Sequence, residues 1–254
     1  MIGPARSTSP IVVAHRGRSS CCPENTRRAF HEGLTCGTDA IECDIQLTRD
    51  GAIVVCHNPT LDHYGHPEVD IATSSLSQLR DVDLGVNFGR RFTGERIVTL
   101  EELIAEFATS IPLLIEFKTK HLSERDGLKL VDAFLSRLAD HERLSLQALC
   151  FNTYVLRRLN ETITDMPLVW NTNEPHLIRR QDLADQPWLT GVGCRIGNLN
   201  QDAASLIHDA GLQMYCFTCN EESDVLKARD LGASVIISDD PVRTRSILAG
   251  TVCT

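Results

Sequence analysis

Ile11-Val12-Val13-Ala14-His15-Arg16-Gly17 is a short apolar run rich in β-branched residues that ends on two ionisable side chains, and Asn25 to Leu34 behind it reads as an amphipathic helix. This alternation of apolar strand and helix continues to the end of the chain, which is the pattern of parallel βαβ units. Eight barrel strands are expected: Ile11 to His15, Ala40 to Gln46, Pro112 to Lys118, Leu146 to Phe151, Leu168 to Asn171, Gly191 to Arg195, Gln213 to Thr218 and Ser234 to Ser238. Helices are expected at Asn25 to Leu34, Leu100 to Phe107, Glu124 to Leu138, Tyr154 to Leu159, Asp202 to Asp209 and Ser223 to Leu231. Thr99-Leu100-Glu101-Glu102 has the form of a capped helix start, and Gly211 and Gly232 that of helix stops.

One segment breaks the alternation. Asp50-Gly51 signals a tight turn before the strand-like Ala52 to Cys56, so a hairpin follows the second strand. Residues 58–97 then form a long polar insertion in which only Leu76 to Val82 looks helical; excursions of that length are usually functional. The 254 residues suit one domain, and a β/α barrel needs about 250. The fold expected is therefore α/β, a somewhat distorted (β/α)8 TIM barrel.

A net charge of −9 argues against a general nucleic-acid binder, which needs a basic face. With no long apolar run and no apolar core in its first ten residues, the chain reads as cytoplasmic and without a stable membrane anchor. The ten cysteines scatter through strands and helices and are expected to be reduced core thiols. Cys21-Cys22 reads as loop, and Cys216 and Cys219, three apart on an expected strand, should face opposite ways.

The chemistry lies where polar groups close apolar runs, namely His15-Arg16, Glu42-Cys43-Asp44, His57-Asn58 and Glu116-Phe117-Lys118. Residues two apart on a strand share a face, so Glu42 and Asp44 project together, as do Glu116 and Lys118. Three carboxylates in one cavity need a compensating cation, and oxygen donors favour Mg2+ or Ca2+ over zinc. The alternative for these carboxylates is a buried ion-pair network with Arg16 and Lys118. With His15 and His57 free for proton transfer, the set is an inventory for metal-assisted attack on a phosphodiester.

From Ile11 to Ile247 the chain resembles the glycerophosphodiester phosphodiesterase family. The resemblance is carried by His15-Arg16-Gly17 with Pro23-Glu24-Asn25-Thr26, by Glu42-x-Asp44, and by Asp50-Gly51 leading to His57-Asn58-Pro59-Thr60-Leu61. It implies a distorted TIM barrel and a divalent metal, Mg2+ or Ca2+, for splitting glycerophosphodiesters into glycerol 3-phosphate and an alcohol. It further implies His15 and His57 as acid and base, Glu42, Asp44 and Glu116 as metal ligands, and Arg16 and Lys118 as the grip on the phosphate. Asn58 stands where the family usually has Asp, and Phe217 where it usually has Trp. Arg195 either contacts substrate or covers the barrel rim.

Two other readings stay open: a lysophospholipase D or sphingomyelinase D-like lipid phosphodiesterase, which should expose an apolar patch at the mouth, and a non-catalytic phosphodiester-binding barrel. The sequence also leaves open the leaving alcohol, Mg2+ against Ca2+, direct attack by water against a cyclic phosphate, and whether the protein is a homodimer.

Overall fold

Strands buried on both faces must exhaust their backbone hydrogen bonds on neighbours, and closing the sheet removes its edges. The computed structural model, which describes residues 9–138 and 145–251, does this. Its strands are β1 (Ile11–His15), β2 (Ala40–Leu47), β3 (Ile53–Val55), β4 (Thr60–Leu61), β5 (His66–Asp70), β6 (Leu113–Phe117), β7 (Leu146–Cys150), β8 (Leu168–Thr172), β9 (Gly191–Arg195), β10 (Gln213–Phe217) and β11 (Val235–Ser238). The helices are α1 (Arg27–Thr35), α2 (Leu76–Asp81), α3 (Leu100–Phe107), α4 (Glu124–Leu138), α5 (Thr153–Asn160), α6 (Arg180–Ala184), α7 (Gln201–Asp209), α8 (Glu222–Asp230) and α9 (Pro241–Leu248). Going round the barrel, β1, β2, β6, β7, β8, β9, β10 and β11 pair in parallel, and β11 returns to β1, so the expected (β/α)8 TIM barrel is formed.

Alternation along each strand separates two layers. Ile41, Cys43 and Ile45 of β2 pack outward with Phe30, Phe107 and Phe134 beneath the helices. Val13, Ala40, Leu114, Leu149, Val169, Tyr215, Val235 and Ile237 fill the interior, where the Tyr215 hydroxyl donates to Gln147 Oε1 at 2.8 Å. This apolar plug closes the barrel's lower half, and the polar side chains that follow it on each strand stand at the C-terminal mouth.

Boundaries differ from the sequence reading by a residue or two, as fraying ends do. Thr99 caps α3 with the expected capping box, and Gly211 and Gly232 take positive φ behind α7 and α8. The expected hairpin is present, with β3 antiparallel to β2 and Gly51 at φ +82°.

The helices α6 and α9 were not expected. The insertion also holds more structure than one helix, for β4 and β5 form an antiparallel pair. Two residues in β4 and Pro67 within β5 gave no period for the sequence to show. Its apolar side chains turn inward, with Leu61, Tyr64, Ile71, Leu79 and Leu84 packed on Val54 and Cys56. The described large apolar side chains left exposed, Val86, Leu122, Leu177 and Val242, are scattered, so the patch required by the lipid reading is not seen among the described residues.

The nine described cysteines are free, and Cys253 lies outside the described residues. Cys216 and Cys219 do not face opposite ways. Because β10 ends at Phe217, the alternation stops and both pack in the outer core, where burial pushes the Cys219 thiol up to about 12. Among the described residues, no helix is long and apolar enough to cross a membrane.

Candidate active site

A cavity of about 720 Å³ opens at the C-terminal mouth, and His15, Arg16, Glu42, His57, Glu116 and Lys118 all line it. Asp44 lies directly beneath, 1% exposed. The seven residues singled out in the sequence are thus brought to one place by β1, β2, β6 and the loop after β3.

Neighbouring parallel strands set this convergence. His15 pairs in register with Glu42, and Asp44 with Glu116, so alternation aims all four into the barrel. Carboxylate oxygens of Glu42, Asp44 and Glu116 lie within 4.8 Å of one another. Lys118 Nζ is 2.7 Å from Glu116 Oε1 and 3.4 Å from Asp44 Oδ1. Arg16 Nη1 donates to Glu24 Oε2 at 2.8 Å, and its Nε stands 3.3 Å from Asp44 Oδ2 at ion-pair rather than hydrogen-bond geometry.

These charges do not balance. Burial would raise Asp44, but Lys118 and Arg16, helped by His57 and His15, hold it below the usual carboxylate range. Glu42 goes the other way: burial, then repulsion from Asp44 and Glu116, pushes it well above its ordinary value despite Arg16 and Lys118. Two cations, Arg16 and Lys118, therefore face four carboxylates, Glu24, Glu42, Asp44 and Glu116, and Glu42 is the one pushed toward its neutral form. Hard oxygen donors at this spacing fit a divalent cation, which would supply the missing positive charge.

The motif after β1 positions its groups through an unusual backbone. Arg16 and Gly17 both take left-handed φ, +56° and +78°, which turns the Arg16 N–H onto Glu42 Oε2 at 3.1 Å. Asn25 is left-handed as well, at φ +54°, and its backbone N–H donates to Arg16 O. Its position differs from the expected start of a helix: Thr26 is the cap, leaving the Asn25 amide free to donate to Asp44 Oδ2 at 2.9 Å.

A Cβ on Gly17 would stand 2.5 Å from the Ala29 carbonyl carbon in α1. Gly17→Ala is expected to cost about 3 kcal/mol, combining left-handed backbone strain with a clash against backbone, as chemical denaturation would read.

The two imidazoles have different supports. His15 Nδ1 is 2.6 Å from Asp239 Oδ1, and Asp239 also accepts from Ser19 Oγ and Asn220 Nδ2. His57 Nδ1 faces an amide oxygen, Asn58 Oδ1, at 2.6 Å, and burial, together with Lys118 and Arg16 against the pull of Asp44, lowers its pKa.

Asp239 yields a stability forecast. Burial would raise it, but the hydrogen bonds from His15, Asn220 and Ser19 hold it down at about 2. Since that lies below the ordinary carboxylate value of about 3.9, its contribution is present above about pH 4 and is lost as the pH falls toward 2. Asp239→Asn is expected to show a shallower loss of stability across that window, measured by denaturant titration at several pH values.

Asp239, Asn25, Glu24 and Asn171 were missed as site residues. Asn171, facing in from β8, donates to Glu116 Oε2 at 3.1 Å. Glu24 and Asn25 stand inside a motif already quoted, but only the left-handed turns reveal where they point. Arg195 ends β9, exposed on the cavity's rim beside Phe217 of β10, its partner in register.

Known proteins resemble the chain over most of its length. The Bacillus subtilis protein YhdW is 30% identical over 232 residues, covering 91% of this chain and 94% of its own. A glycerophosphodiester phosphodiesterase of Caldanaerobacter subterraneus is 29% identical over 248 residues, with 91% and 94% covered. Among solved structures, an Oleispira antarctica phosphodiesterase in complex with the product sn-glycerol-3-phosphate superposes with a TM-score of 0.86 at 26% identity, covering 94% of this chain and 97% of that one. The glycerophosphoryl diester phosphodiesterase family matches residues 15–243, so the chain belongs to that family.

Proposed function

We propose that this protein hydrolyses glycerophosphodiesters to glycerol 3-phosphate and an alcohol, with Mg2+ or Ca2+ bound by Glu42, Asp44 and Glu116. The observation that carries the proposal is the meeting of these carboxylates with His15, His57, Arg16 and Lys118 in one cavity of a family barrel. A divalent ion, when bound, supplies Lewis-acid polarisation of a phosphoryl oxygen and offsets the charge that builds there.

The chain's own groups do the rest. Arg16 and Lys118 present fixed cations to the equatorial oxygens, where their value is raised by preorganisation in a half-buried site. His57, whose Nδ1 is engaged by Asn58, offers Nε2 as the base that takes the proton of the attacking oxygen, that of water or of the substrate's own hydroxyl with water opening the resulting cyclic phosphate. His15, whose ring is braced by the Asp239 carboxylate, delivers a proton to the leaving oxygen.

Purified protein assayed on a panel of glycerophosphodiesters with Mg2+ or Ca2+ should release glycerol 3-phosphate, and excess chelator should abolish the release. Equal rates with and without chelator, or no hydrolysis of any panel member with any divalent ion, would contradict the proposal.

A further inference from the structure

Asn58 stands between an imidazole and a carboxylate. Its Oδ1 lies 2.6 Å from His57 Nδ1, and its Nδ2 donates to Asp62 Oδ1 at 2.8 Å. The hydrogen bond from Asn58, then those from the His63 backbone and Thr60, hold Asp62 below its usual range against the small opposing effect of burial, so its carboxylate is ionised. An ionised carboxylate only accepts, so Asp62 draws the NH2 of the amide and leaves the amide oxygen facing His57. An oxygen at that distance accepts the Nδ1 hydrogen, and the lone pair is left on Nε2.

We propose that Asn58 and Asp62 form a positioning pair that fixes His57 as the Nδ1–H tautomer, with Asp62 acting through the Asn58 amide. The inference rests on the role of His57 as base given above. It makes the first turn of the insertion part of the proton-transfer apparatus rather than a cover alone.

The turn is anchored well enough to do this. Gly65, left-handed at φ +89°, closes the single helical turn Asp62–Tyr64 by donating its N–H to Asp62 O. Tyr64, 1% exposed, donates its hydroxyl to Glu24 O at 2.8 Å, and Glu24 in turn holds Arg16. One short turn therefore braces both the base and the phosphate-facing guanidinium. The two histidines also differ in kind: His15 meets a carboxylate directly, whereas His57 meets one through a neutral amide that transmits orientation without a full adjacent charge.

The test combines turnover with a direct reading of the ring. Asp62→Ala frees the amide to rotate, and kcat should fall about tenfold with KM within about twofold, on the scale found for residues that orient a working side chain. Placing Asn58→Asp in that background puts a carboxylate against Nδ1 and should recover kcat to within about threefold of the parent protein.

The 15N shifts of the His57 ring should show hydrogen on Nδ1 in the parent protein and a mixture of tautomers in Asp62→Ala. A parent ring protonated on Nε2, an Asp62→Ala variant with parental kcat, or a loss that Asn58→Asp leaves unrepaired would overturn the proposal. If the parent protein splits no glycerophosphodiester, the functional reading fails, while the ring shifts still decide the tautomer.

Discussion

His15→Ala is expected to lower kcat about 1,000-fold while leaving the fold and divalent-ion affinity close to those of the parent protein. The ring sits at the end of β1 with Nδ1 on Asp239 and Nε2 3.9 Å from Glu42, turned toward the cavity. Its removal takes away a proton donor but none of the three clustered carboxylates. Asp239 keeps Asn220 and Ser19 as partners and is not stranded. Steady-state kinetics on a hydrolysed glycerophosphodiester, with circular dichroism and metal titration as controls, reads the effect. A fall of less than about tenfold would remove His15 from the proton-transfer role.

Asp44→Ala should act differently, removing metal affinity and turnover together. Asp44 is where the site's positive and hydrogen-bonding groups converge: Lys118, Arg16 and Asn25 all reach it. Without it, two carboxylates remain, one of them Glu42, already pushed toward the neutral form by burial and its neighbours.

The expected result is a dissociation constant for Mg2+ or Ca2+ raised more than about 100-fold, beyond what loss of an outer partner produces, with kcat/KM below about one-thousandth of the parent value. Arg16 retains Glu24 and Lys118 retains Glu116, so neither cation is left without a partner and the protein should still fold. Calorimetric titration beside the assay separates this pattern from His15→Ala, where affinity survives and turnover does not. Parental metal affinity in Asp44→Ala would contradict the ligand assignment.

The barrel and the positions of its working groups were legible because each rests on a period. Alternation along β2 and β6 by itself puts Glu42, Asp44, Glu116 and Lys118 on one face, and register between these parallel strands places Asp44 beside Glu116. What escaped the sequence had no period to carry it. Asn25 looked like the start of a helix and is instead a left-handed residue aimed at Asp44, a choice made by the turn at Arg16 and Gly17.

Asp239 lies one residue past β11, and its link to His15 joins the two ends of the chain across the barrel seam. Such a contact exists only once the barrel has closed. The β4–β5 pair was hidden for a local reason, since a two-residue strand and a proline give no alternation to read. Both sequence-level readings of the carboxylates have a counterpart in the structure. Arg16 and Lys118 do pair with them, yet Arg16 is shared with Glu24, and the positive charge still lacking is what a divalent ion would supply.

Anomalous diffraction from crystals grown with Mn2+, a hard oxygen-seeking ion, tests the central claim most directly. A peak within coordination distance of Glu42, Asp44 and Glu116 together, with His15 and His57 on either side of the cavity above it, is the predicted result. Mn2+ bound elsewhere, with Lys118 and Arg16 still seated on Asp44 as the only cations at the three carboxylates, would contradict it.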